Sequence, residues 1–178
     1  RVQEFSASLN NKSGLIEKLL IPALVKLSNF VPGGGIWMNT ERPEWNDANN
    51  ALVGNGLSMV TTGYLLRYVR FCLNWWSQLK DTQTVDASGA VVDFAQALTE
   101  ILNQPADTIV SSTVESKKRA QILQSLGLAG QDYRERIYTG NFSTKSSVKI
   151  SQLLLLLDKA EEWLKITLES AKRTDALV

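Results

Sequence analysis

The sequence predicts an all-α protein of five to six helices in antiparallel hairpins, and three observations lead there. Apolar residues recur at helical spacing through most of the 178-residue chain. Polar stretches with Pro and Gly separate these runs, and connections that short favour antiparallel neighbours. Hydrophobic residues make up 44% and charged residues 21%, the balance of one soluble globular domain with its own core. No internal repeat is evident.

Arg1–Asn11 is polar and alternating, a strand or an ordered tail. Ser13–Ser28 reads as the first helix. Ser13 stands at the cap position, Glu17 in the first turn, and Leu20, Leu24 and Leu27 follow on one face. Pro22 lies inside that pattern, where a kink is expected. Asn29–Asn46 reads as a long loop, punctuated by Pro32, Gly33–Gly35 and Pro43, with the three glycines as slack. A loop of that length in a compact domain usually has work to do. Asp47 to about Leu79 reads as one long helix, in which Gly54, Gly56 and Gly63 either let another helix approach closely or mark a break near Gly54–Gly56. Asp81–Gly89 reads as a polar turn, and Val91–Asn103 as a helix. Pro105 opens a helix to about Leu126, which Gly127 and Gly130 are expected to stop. Gln131–Tyr138 reads as a short helix, Asn141–Ser147 as a polar linker, and Ser147–Ala176 as a long amphipathic helix.

Bulk chemistry excludes several function classes. Nineteen basic and 18 acidic residues leave a net charge of +1, without the basic face that nucleic acid or an anionic membrane attracts. No run of about 18 apolar residues lacks charge, so no membrane span is expected. Lys117-Lys118-Arg119 reads as a solvated face. The chain has no histidine, which removes Ser-His-Asp and Cys-His catalysis and the usual ligands of catalytic zinc. Gly33–Gly35 lacks the Gly-Lys-Ser/Thr that a phosphate loop needs. No cofactor and no metal is expected. Cys72, the one cysteine, lies in an apolar run and reads as a buried, inert thiol. The compartment is not written in the sequence, with the cytoplasm slightly favoured.

Chemistry concentrates in Gly33–Gly54, "GGGIWMNTERPEWNDANNALVG". Glu41, Glu44 and Asp47 place three carboxylates within seven residues. Trp37 and Trp45 offer flat faces, Asn46 and Asn49 offer donors and acceptors, and Arg42 adds a cation. Sugars require that mixture, because their C–H faces pack on aromatic rings and their hydroxyls need bifunctional partners. Glycosidic cleavage also needs a carboxylic acid to protonate the leaving oxygen, and an apolar neighbour such as Trp raises its pKa.

Arg42-Pro43-Glu44-Trp45-Asn46-Asp47-Ala48, followed by Asn49-Asn50-Ala51-Leu52-Val53-Gly54, resembles the Asp-Trp-Asn-Asp segment of the cellobiose-phosphorylase group. It is also similar to the Trp-x-Asp segment of the glucosidase half of glycogen-debranching enzymes. The resemblance covers about 15 residues of the chain. It implies an (α/α)6 toroid acting on glucosides. It places the general acid at Asp47 and a sugar platform at Trp45. Glu44 falls on an acid that is Asp in the phosphorylases, which makes its role secondary. A complete six-hairpin toroid needs more helices than this chain supplies, so the chain would be a fragment, half of such a toroid. It would need the remainder of a parent chain, or self-association, to cover its open face. Alone it would be inactive and would lack the second carboxylate. Two other readings stay open. Asp47 can be a helix N-cap, and the chain can be a non-catalytic helical bundle that binds a partner through an apolar helix face.

Overall fold

The computed structural model describes residues 14–38, 56–80, 82–111, 116–140 and 145–171. Among them are five long helices and one short one: α1 Leu15–Leu27, α2 Met59–Trp76, α3 Gly89–Leu102, α4 Ala106–Ser111, α5 Ser116–Tyr138 and α6 Ile150–Ser170. Two small antiparallel sheets join them. One orders β1 (Phe30–Val31), β2 (Gly35–Trp37) and β3 (Leu57–Ser58); the other pairs β4 (Thr84–Ser88) with β5 (Lys145–Lys149). The protein is therefore mainly helical, but the all-α expectation is corrected by five short strands.

Each strand falls where the sequence reads as loop, turn, linker or helix. The stretch from Asn29 contains β1 and β2, joined by a turn in which Gly34 N–H donates to Val31 O at 2.9 Å. Pro32 and Gly33 are its central residues, and Gly33 has φ +76°, the pattern of a type II turn. The glycines are thus a tight hairpin turn, not slack. The polar stretch after Asp81 holds β4, and the linker after Asn141 holds β5. These two strands pair from Thr84↔Lys149 to Ser88↔Lys145. Alternation supports them: Ala87 and Val148 are buried while Asp86, Lys145 and Lys149 are exposed.

Helix bounds shift for local reasons. The segment expected to be helical from Asp47 begins its described helix only at Met59, after Gly56 and β3. Ser58 caps α2 by accepting from Thr61 N–H, and Ser88 caps α3 by accepting from Val91 N–H. Gly127 and Gly130 do not stop a helix, because α5 runs through both. A Cβ at Gly130 would stand 2.6 Å from Ser28 Oγ, so this glycine lets α5 cross the end of α1. Pro22 lies inside α1 as expected. Arg1–Asn11 and Ser13 lie outside the described residues, and the cap position of α1 is Gly14.

All six helices feed one hydrophobic core. Helices α2 and α6 form the most extensive helix pair. They are antiparallel: Thr62 near the start of α2 and Thr167 near the end of α6 both bond the β1–β2 hairpin, through Ile36 N–H and Gly33 N–H, and Arg70 meets Glu161 at 2.7 Å between them. Helices α3 and α5 are also antiparallel, with Asp93 bonded to Arg136 and Phe94 stacked on Tyr133. Helices α3 and α6 run parallel. Both leave the β4–β5 ribbon, and at the far end of α3 the Leu102 carbonyl accepts from Trp163 Nε1–H of α6 at 2.9 Å. No described helix is long and apolar enough to cross a membrane.

Candidate functional site at the β1–β3 rim

The β1–β3 sheet forms one rim of the helical body, and local chemistry locks it there. Ile36 N–H donates to Thr62 Oγ1 at 3.0 Å, and that hydroxyl donates to Ser58 O at 2.8 Å. Thr62 is fully buried, so one side chain ties β2, β3 and the first turn of α2 together. Gly35 has φ +106°, and a Cβ there would lie 2.8 Å from Thr62 Oγ1. Only glycine allows that approach. On the other side Gly33 N–H donates to the buried Thr167 Oγ1 at 3.1 Å, which fixes the hairpin turn to α6.

The ladder then defines two ends. Trp37 pairs with Leu57, and Met38 N–H donates to Gly56 O at 3.1 Å. The chain leaves the rim at Met38 and re-enters at Gly56, side by side. Trp37 N–H donates to Asn29 O at 2.8 Å, which holds its backbone. Strand alternation buries Ile36 and turns Trp37 outward, 39% exposed. Trp37 is the one sequence-predicted site residue that the structure describes. Glu41, Arg42, Glu44, Trp45, Asn46, Asp47 and Asn49 all lie outside the described residues, between the two ends of the ladder.

The described rim supplies the aromatic face of Trp37 and the half-buried Thr61, while the Ser58 and Thr62 hydroxyls are buried and bonded within the rim itself. Arg119 is half-buried, and one of its guanidinium nitrogens lies 3.6 Å from where a Cβ on Gly33 would stand, a position that its reading as part of a solvated run did not foresee. Its signal was faint, because only the helical phase of α5 separates it from the exposed Lys117 and Lys118. Groups with shifted pKa lie elsewhere. Burial pushes Tyr68 up to about 12 and also raises the Cys72 thiol. Asp158 on α6 is raised by burial and by neighbouring Glu161. Cys72 is buried, as expected. Arg70 is paired with Glu161 at 2.7 Å. No three metal-ligating side chains come together among the described residues. Comparison with protein-family models and with curated proteins gives no match.

Proposed function

We propose that this chain is the helical part of a carbohydrate-active enzyme, a glycoside hydrolase or phosphorylase of (α/α)-toroid type. In this reading Asp47 is the general acid that protonates the glycosidic oxygen, and Glu44 is a secondary acid. Trp37, Trp45, Asn46, Asn49, Glu41 and Arg42 bind the sugar. One observation carries the proposal: the chain leaves the rim at Met38 and re-enters beside it at Gly56, next to the exposed ring of Trp37, and the sequence between those two points holds Trp45-Asn46-Asp47. Binding residues placed between anchored ends of a stiff scaffold are the usual arrangement of a loop-built site. The helical body would supply the stiffness, and the remainder of a parent chain would supply the second carboxylate.

The test is Asp47→Asn in the longest natural chain that contains these residues. Loss of a general acid lowers kcat by about 10²–10⁴-fold, on aryl glucosides and on glucosyl disaccharides, with and without inorganic phosphate. Full retention of activity excludes the assignment. The alternative, a non-catalytic bundle that docks a partner through an apolar face, draws on an exposed row on α2: Val60, Tyr64, Phe71 and Trp75.

A further inference from the structure

Helix α2 buries Leu65, Leu66, Val69, Cys72 and Trp76 and turns the opposite face outward. Near its C-terminal end Phe71 and Trp75 stand one turn apart, 56% and 37% exposed. Their ring centroids are 6.1 Å apart and their planes are tilted by 37°. With Asn74 and Gln78 they line an open depression of about 390 Å³. Among the described residues no charged side chain lines it. Gln78 Nε2 donates to Asn74 O at 3.1 Å, which steadies that amide and leaves its oxygen as an acceptor. Among the described residues the Asn74 side-chain amide has no partner.

We propose that this patch is a platform for a neutral oligosaccharide. A pyranose ring presents an apolar C–H face that fits the two tilted rings, and its rim of hydroxyls needs donors and acceptors together. The two primary amides supply both. An anionic ligand is disfavoured on two counts. The nearest cation on the helix, Arg70, is engaged with Glu161. The patch also lies at the end of α2 that carries the negative pole of the helix dipole, with no basic residue in the last turn. A partner helix fits less well. An apolar helix face pressed flat on this patch would bury the Asn74 amide and the Gln78 side-chain oxygen without new hydrogen-bond partners, a cost that sugar hydroxyls avoid. The platform is distinct from the rim. Phe71 lies twelve positions beyond Met59, about 18 Å along the helix, so it stands whether or not Asp47 is an acid.

The experiment titrates maltotetraose and cellotetraose into the isotopically labelled chain and follows the Trp75 indole N–H and the side-chain amides of Asn74 and Gln78 by NMR. Saturable shifts of these signals, with the Trp163 indole unmoved, are expected for at least one of the two sugars. Trp75→Ala should weaken binding by about tenfold or more, and Asn74→Ala by a few-fold. Both positions are surface-exposed, so the folded spectrum serves as the control. Asp47→Asn should leave this binding unchanged, which separates the platform from the rim site. Unmoved signals at millimolar sugar overturn the proposal, as does full affinity in Trp75→Ala. Line broadening that grows with protein concentration, is insensitive to sugar and vanishes in Trp75→Ala would assign the patch to protein docking instead.

Discussion

Tyr68 shows how one residue acquires a role that its sequence neighbourhood does not announce. Its hydroxyl donates to Leu19 O at 2.6 Å and so ties α2 to α1 across 49 positions. Burial, followed by the nearby Cys72, lifts its pKa from 10.0 to about 12. The native state therefore keeps the phenol protonated where the unfolded chain loses it. Stability from this group is complete below pH 10 and falls as pH rises from 10 towards 12. Tyr68→Phe should lose its hydrogen bond at neutral pH and flatten the alkaline fall; urea denaturation measured across that window checks both. Glu17 makes the same point. It reads as a first-turn acid, yet it is buried, and its Oε1 accepts from Ser88 N–H at 3.0 Å at the start of α3. Helical spacing places a side chain on a face, but it does not say which element that face will meet.

At the scale of elements, the long helices were legible because many apolar residues at one period reinforce one another. The strands were not, because two to five residues give too few alternations, and their pairing joins Thr84 to Lys149 across the chain. Glycines separate the two kinds of information. Gly63 and Gly127 lie inside α2 and α5, with nothing near the position a Cβ would take. Gly63→Ala should stabilise the protein by about 0.5–1 kcal/mol through helix propensity. Gly35→Ala should destabilise by about 2 kcal/mol or more, because it adds strain at positive φ to contacts of 2.8 and 2.9 Å with Thr62 Oγ1 and Met59 Sδ. Thermal unfolding of the two variants, with opposite shifts in Tm, distinguishes the helix interior from the rim lock. Of the candidate site, the sequence made the cluster of acids, tryptophans and asparagines legible; the β2–β3 ladder that brings its ends together was not.

Across the whole molecule, two buried tryptophans do different work. Trp163 is fully buried, donates to Leu102 O and meets Phe30 edge-on at 6.4 Å, so it joins α6, α3 and β1. Trp76 is equally buried, but its indole N–H has no partner among the described residues. Trp163→Phe leaves the Leu102 carbonyl unpaired and should cost about 1–3 kcal/mol beyond the change in volume. Trp76→Phe carries no such penalty and should cost less; paired chemical denaturation curves decide between equal and unequal losses. The sequence by itself determined that the fold is mainly helical, where most helical runs lie, that Cys72 is buried, and that histidine chemistry is absent, since period, composition and apolar runs are local properties. Only the tertiary structure decided that the triple glycine is a lock, that Gly130 is a helix crossing, that polar linkers pair as strands, and that Trp75 faces outward while Trp76 faces the core. Each of those outcomes depends on which distant surface completes a contact, and burial and hydrogen bonding between remote segments carry no one-dimensional signature.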